Sequence, residues 1–174
     1  PIFDAFQKHQ RGELSDEALK DAQDRSIREL VIKEEALGLP IITDGEHRRR
    51  VFMQSLADSI SGMPGGDSLR TRVPAAGRLK KIGNVALEEY RFTRSLTRRP
   101  IKSTLLSCDR AMQSFAWEKS QPVYADMDAY CADIVAIQKN IVAELADEGC
   151  DYISIDAPSY TADRKSTRLN SSHS

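Results

Sequence analysis

The stretch Leu37-Gly-Leu-Pro-Ile-Ile-Thr-Asp-Gly-Glu-His-Arg-Arg49 decides how the rest of the chain is read. Gly38 and Pro40 stop the helix before them, because glycine accepts the left-handed residue that closes a helix and proline cannot continue one. Ile41 and Ile42 form a short apolar run that breaks off into polar residues. That is the pattern of a buried strand emerging at its C-terminal end. Upstream, Ser15 can cap a long helix, with Asp16 and Glu17 in the first turn where the helix dipole favours acids. Leu19, Ala22, Ile27, Leu30 and Val31 then recur at helical spacing. Downstream, Phe52, Leu56 and Ile60 lie four apart and predict a second helix from about Arg49 to Ile60, followed by a loop over Gly62-Met-Pro-Gly-Gly-Asp67.

The same alternation continues. Thr71 to Gly83 is irregular and basic, a short excursion or hairpin. Val85 to Leu96 reads as a helix with Leu87, Tyr90 and Leu96 near one face. Pro100 to Leu106 reads as a strand, with a short helix after Asp109. A strong helix runs from about Asp126 to Glu148 on a stripe of Met127, Tyr130, Cys131, Ile134, Ile137, Ile141 and Leu145, and Gly149 ends it. Asp151 to Asp156 is another strand. Helical patterns of ten or more residues between short apolar strands imply parallel βαβ units, hence an α/β fold. Right-handed crossovers put all the strand C-termini on one side.

The chain has 174 residues, enough for one domain but short of the ~250 of a complete (β/α)₈ barrel. Lys+Arg at 25 and Asp+Glu at 26 nearly cancel, which argues against a nucleic-acid or membrane-surface binder. No apolar run approaches the ~18 residues of a membrane span. Pro1-Ile2-Phe3-Asp4 has no secretory pattern and no initiator Met, so the N-terminus reads as incomplete. Cys108, Cys131 and Cys150 are odd in number and widely spaced, the pattern of reduced thiols in a cytoplasmic protein. Asp163 to His173 breaks from everything before it. Read back into codons, it is one frame of a common sequencing-library adapter. The natural sequence in this chain is therefore expected to stop near Ala162, where a longer protein is cut short, with 1–162 an incomplete domain and 163–174 a disordered appendage.

The topology places candidate chemistry at strand ends. Asp44 and Glu46 follow the first strand, Ser107, Cys108 and Asp109 the second, and Asp156 ends the third. In a parallel α/β sheet these positions line the active-site face, so the acids should converge on one pocket. There they can bind an ammonium group, accept a proton or hold a metal, or simply cap the next helix, and spacing alone leaves these open. Arg48 and Arg49 can bind a carboxylate or phosphate, pair with a buried acid, or form a solvated basic turn. His47 alone is weak ground for a metal site, since ligands come in sets. Cys150 sits at the wrong end of its strand for catalysis and Cys131 lies in a helix stripe, so both read as core. Cys108 has no evident histidine partner. Trp117 reads as packing.

These residues, with Arg11-Gly-Glu-Leu-Ser15 before them, resemble the cobalamin-independent methionine synthase family, and more closely the short proteins that match only its catalytic C-terminal barrel. Glu148-Gly-Cys-Asp-Tyr-Ile-Ser-Ile-Asp-Ala-Pro158 is similar to the family's second signature, a strand ending in Asp with Pro close behind. Pro100-Ile-Lys102 and Tyr124-Ala-Asp-Met-Asp128 fit between. The resemblance implies the N-terminal portion of a (β/α)₈ barrel of the methionine synthase and uroporphyrinogen decarboxylase superfamily. It implies methyl transfer from 5-methyltetrahydrofolate, usually polyglutamylated, to the sulfur of homocysteine in methionine biosynthesis, with small molecules as the only partners. It assigns Glu46 and Asp156 to the amino group of homocysteine, with Arg49 supporting Glu46. It implies zinc and no cobalamin.

The family's zinc ligands are a His-x-Cys pair and a distant Cys, often with a Glu. No His-x-Cys occurs in this chain, and the ligands are expected downstream of Ala162. No catalytic residue and no metal ligand is assigned within the chain, which by itself is expected to be inactive. Ala157 stands where the family usually has an acid, Ser154 where it commonly has Gln, and Ser107-Cys108-Asp109 where it has glycine and proline. Alternatives within the superfamily are a transferase acting on another thiol, such as coenzyme M, and a decarboxylase-type lyase using Arg48 and Arg49. A non-catalytic half barrel is the third reading.

Overall fold

The computed structural model describes residues 2–63, 73–113 and 115–157, without the side chain of Trp117. The proposed adapter segment 163–174, Pro158, most of the Gly62–Asp67 loop and the role of Trp117 lie outside that description. In chain order the elements are α1 (Ile2–Gln10), α2 (Asp16–Ala36), α3 (Gln54–Ala57), β1 (Ile60–Ser61), β2 (Lys80–Lys81), α4 (Val85–Arg94), β3 (Lys102–Leu106), α5 (Cys108–Gln113), α6 (Trp117–Ser120), α7 (Met127–Asp147) and β4 (Tyr152–Asp156). The fold is α/β.

The caps are where the sequence puts them. Ser15 accepts from the Ala18 amide at the start of α2, and Asp126 accepts from the Ala129 amide at the start of α7. Both satisfy amide donors that the first helical turn leaves open. Gly149 closes α7 with φ 89°, and the Cys150 amide reaches back to the Leu145 carbonyl. β3 and β4 pair in parallel, with Lys102 opposite Tyr152 and Leu106 opposite Asp156. On the other side of β3 the Ile42 amide donates to the Pro100 carbonyl and the Lys102 amide donates to the Ile42 carbonyl, both at 2.9 Å. Three parallel segments therefore lie side by side, in the order Ile42, β3, β4.

The main core fills the space between β3 and the helices α4, α5 and α7. Ile134, Leu145, Tyr124 and Tyr130 are fully buried there. Phe115 stacks on Tyr130 with ring centroids 3.9 Å apart, and Tyr124 meets Tyr130 edge-on at 5.4 Å. A second, smaller core of Ile27, Val31 and Ile42 joins α2 to the first parallel segment.

Three expectations are corrected. The strand at Ile41–Ile42 is a single bridge to Ile101 rather than a ladder. The helix expected from Arg49 to Ile60 is only α3. Arg49 is drawn into tertiary pairs, and the Ile82 amide and Val85 amide bond to Ser59, turning the chain into the short antiparallel pair β1–β2. The buried face of α4 is Ala86, Glu89, Tyr90 and Thr93, while Leu87 is only half-buried. Helix α1, to which the sequence pattern assigns no element, packs on α2.

Candidate functional site

The turn after Ile42 is built for close approach. Glu34 on α2 accepts from the Thr43 amide at 2.8 Å and from its hydroxyl at 3.1 Å, fixing the start of the turn. Asp44 Oδ1 accepts from the Glu46 amide at 3.0 Å. Gly45 has φ 64°, and a Cβ there would stand 2.5 Å from Leu30 Cδ2 and 2.8 Å from His47 Nε2. Glu46 follows with φ 55°, a left-handed conformation that costs a non-glycine residue about 1–3 kcal/mol and collects at binding sites.

Arg49 organises the acids. Its Nε donates to both Glu89 carboxylate oxygens at 3.0 and 3.2 Å, and its Nη2 donates to Glu89 Oε2 at 2.6 Å and to the Thr104 carbonyl at 2.8 Å. The Arg49 and Glu89 side chains are each 4% exposed. Nη1 faces Glu46 Oε2 at 3.3 Å. Burial works against the guanidinium's charge, but Glu89, Glu46 and Asp44 outweigh it and hold its pKa above the ordinary value. At Glu46 burial dominates and pushes the carboxyl above the usual glutamate value. Arg49 pulls it down, while the charges of Asp44 and Asp156 push it further up.

Asp156 ends β4 exposed, and its carbonyl accepts from the Ser107 amide at 3.0 Å. Thus the charges of Asp44 and Asp156, expected to meet Glu46 at the strand ends, both act on Glu46. Asp44 Oδ2 is buried without a hydrogen-bond partner among the described residues. A cavity of about 10 Å³, too small for any substrate, lies beside Asp44, Arg49 and Glu89. The open side of this cluster is the one with half-buried Glu46 and exposed Asp156.

The other sequence candidates are placed elsewhere. Asp109 accepts from the Ser107 hydroxyl and is not among the charges that act on Glu46. Arg48 bonds Asp24 on α2 and lies over the Phe92 ring of α4 at 4.4 Å. His47 Nδ1 contacts Ser26 Oγ at 3.0 Å. Cys150 is buried against Ser103, and burial raises the Cys108 thiol beside Gln138, so neither is a ready nucleophile. Among the described residues no group of three or more His, Cys, Asp or Glu has the arrangement of a metal site, and they do not fit a zinc ion. Glu89 was missed by the sequence reading, although a signal existed: it is a charged residue at the core-facing spacing of an amphipathic helix.

Three parallel segments joined through helices, with acids at the strand C-termini, define an α/β protein of the kind whose sites lie on that face. The family model described as cobalamin-independent synthase, catalytic domain, matches residues 2–173, and the chain belongs to that family. It is 25% identical over 172 residues to YxjH of Bacillus subtilis, covering 92% of this chain and 45% of that protein. It is 23% identical over 163 residues to a 5-methyltetrahydropteroyltriglutamate–homocysteine methyltransferase of Thermotoga petrophila, covering 88% of this chain and 22% of that one. The chain thus spans less than half of each of these relatives. A solved structure from Listeria monocytogenes, assigned to the vitamin-B12-independent methionine synthases, superimposes with a TM-score of 0.77 at 25% identity. The match covers 92% of this chain and 49% of that one.

Proposed function

We propose that this chain is the N-terminal portion of a (β/α)₈ barrel in a cytoplasmic enzyme that transfers the methyl group of 5-methyltetrahydrofolate to the thiol of homocysteine. Glu46 and Asp156 bind the substrate's ammonium group, and Arg49 holds Glu46 in place. The observation that carries this reading is the charge at Glu46. Among the described residues two carboxylates and a single guanidinium act on it, and that guanidinium is already shared with Glu89. Such a site is short of positive charge and attracts a cation. The same count disfavours the lyase reading, because Arg48 and Arg49 are both spent on acids of the chain and are not free to take substrate carboxylates.

Zinc belongs to this reading as the group that would turn the substrate thiol into a thiolate nucleophile. Its ligands would come from outside the described residues. The task of the described residues is to bind and orient the amino acid by its ammonium end.

The test is binding of L-homocysteine to the chain, followed by isothermal calorimetry or chemical-shift titration, beside an analogue that lacks only the α-amino group. Glu46→Gln and Asp156→Asn should each weaken homocysteine binding at least tenfold and leave the weaker binding of the analogue unchanged. Equal affinity for both compounds, or indifference to both substitutions, refutes the assignment. Tighter binding of a polycarboxylate than of homocysteine would favour the lyase reading.

A further inference from the structure

We infer that Glu89 is a positioning residue that keeps the charge of Arg49 from neutralising Glu46, so that Glu46 stays available to an external cation. The inference rests on the reading of Glu46 as an ammonium ligand and adds a residue of α4 to that site.

The argument is geometric. Arg49 offers one positive charge to two acids. Glu89 takes Nε and Nη2 through three contacts of 2.6–3.2 Å. The Thr104 carbonyl takes a second bond from Nη2 and ties the guanidinium to β3. Only Nη1 is left for Glu46, at 3.3 Å and on one oxygen. A guanidinium and a carboxylate can form two parallel bonds, and that fork is their strongest arrangement. Here the fork is given to Glu89. With Glu89 ionised, the triad of Glu46, Arg49 and Glu89 carries one net negative charge, which rests on the partly exposed member, Glu46. Without Glu89 the fork is free to swing to Glu46, the pair becomes neutral, and the cluster loses its pull on an ammonium group. Among the described residues the other charged groups acting on Glu46 are Asp44 in its own turn and Asp156 on β4, both acids, so none of them supplies a second cation. His47 and Arg48 are turned away to Ser26 and Asp24 on α2.

The experiment is a carboxyl-¹³C NMR titration of glutamate-labelled full chain, with the Glu46 resonance assigned by its absence in Glu46→Gln. In Glu89→Gln the Glu46 midpoint should fall by about one pH unit or more, because a like charge leaves and an opposite charge approaches. Glu89→Asp keeps the buried charge and therefore serves if Glu89→Gln does not fold. Its shorter side chain loosens the fork and moves one acid away from Glu46, so the midpoint should fall by a smaller, still measurable amount. An unchanged Glu46 midpoint in whichever variant folds overturns the inference. A parallel L-homocysteine titration separates the two claims. Native chain that fails to bind homocysteine while its Glu46 midpoint follows Glu89 defeats the proposed function but upholds the positioning role. Binding that persists with a midpoint indifferent to Glu89 does the reverse. If both hold, Glu89→Gln should weaken homocysteine at least tenfold and Glu89→Asp less.

Discussion

Arg49→Met keeps much of the apolar length of the side chain and deletes every donor that faces Glu89. Three short contacts vanish at once, from a pair whose side chains are each 4% exposed, and the Thr104 carbonyl loses a donor. Removing one partner of a buried ion pair costs about 3–5 kcal/mol, because the survivor is left charged in a poorly polarisable interior. That is a large share of the stability of an ordinary domain, about 5–15 kcal/mol. The pH dependence follows from the survivor. Unpaired and buried, Glu89 in the variant holds its proton well above the ordinary glutamate value of about 4.3. A carboxyl whose folded pKa exceeds its unfolded pKa contributes stability that is complete below the unfolded value and lost as pH rises through the folded one. The deficit of Arg49→Met should therefore be largest near pH 7 and shrink towards about pH 5. Arg49→Met/Glu89→Leu removes both charges and should recover most of the loss, since apolar replacement of a whole buried pair is often neutral or stabilising. Urea unfolding at both pH values, followed by circular dichroism, measures all three proteins. A deficit under about 1 kcal/mol at pH 7, or a double variant as unstable as the single one, would refute the description of Arg49 and Glu89 as a mutually dependent buried unit.

Other consequences are open to direct measurement. Ala in place of Gly45 meets Leu30 and His47 and must adopt φ near 64°, so thermal unfolding should show a loss of about 1–2 kcal/mol or more. Glu46→Gly should do the opposite, gaining about 1 kcal/mol from relieved strain while losing homocysteine affinity; a destabilised Glu46→Gly would show that the left-handed residue is not strained. At Asp24 burial works against the charge, but Lys20 and Arg48 outweigh it and hold the carboxyl below its ordinary value. That stabilisation is present above the unfolded pKa and lost as pH falls through the folded one, so Asp24→Asn should be less stable than the native chain at pH 7 and equal to it near about pH 2. Burial pushes the Tyr124 hydroxyl up to about 12 and raises Tyr130 as well. Tyr124 and Tyr130 should therefore ionise well above about pH 10 in an alkaline absorbance titration, and their ionisation near about pH 10 would contradict the core around Phe115.

What could be read from the sequence divides along physical lines. The helices α2 and α7 were legible because each carries its own instructions: an oxygen-bearing cap, a stripe at helical spacing and a terminal glycine. β3 and β4 were legible because short apolar runs stand between turn residues. The segment from Ile41 to Ile60 was not, because distant partners override its local pattern. Ile42 makes only two ladder bonds, both to the segment around Ile101, and the helical spacing of Phe52, Leu56 and Ile60 yields to hydrogen bonds between Ser59 and the chain at Ile82 and Val85.

The candidate site follows the same rule. Asp44, Glu46, Arg49 and Asp156 stand at strand ends, where topology alone suggests proximity. Glu89 stands in mid-helix, where topology suggests nothing. Yet Ala86, Glu89, Tyr90 and Thr93 share one face at spacings of three and four, and all four are buried. A glutamate on such a face must find a cation, because an unpaired carboxylate there costs more than the helix gains by packing. Helix α4 leads directly into β3, so the cation has to come from a segment beside that strand. The parallel neighbour through Ile42 ends in a run of three arginines. Arg48 goes to Asp24 on α2, and Arg49, one residue on, is the one whose guanidinium reaches both the Thr104 carbonyl of β3 and Glu89. The charged residue on the apolar stripe and the arginine after the strand thus specify each other. Their pairing ties the turn that carries Glu46 to α4 and β3 through one guanidinium.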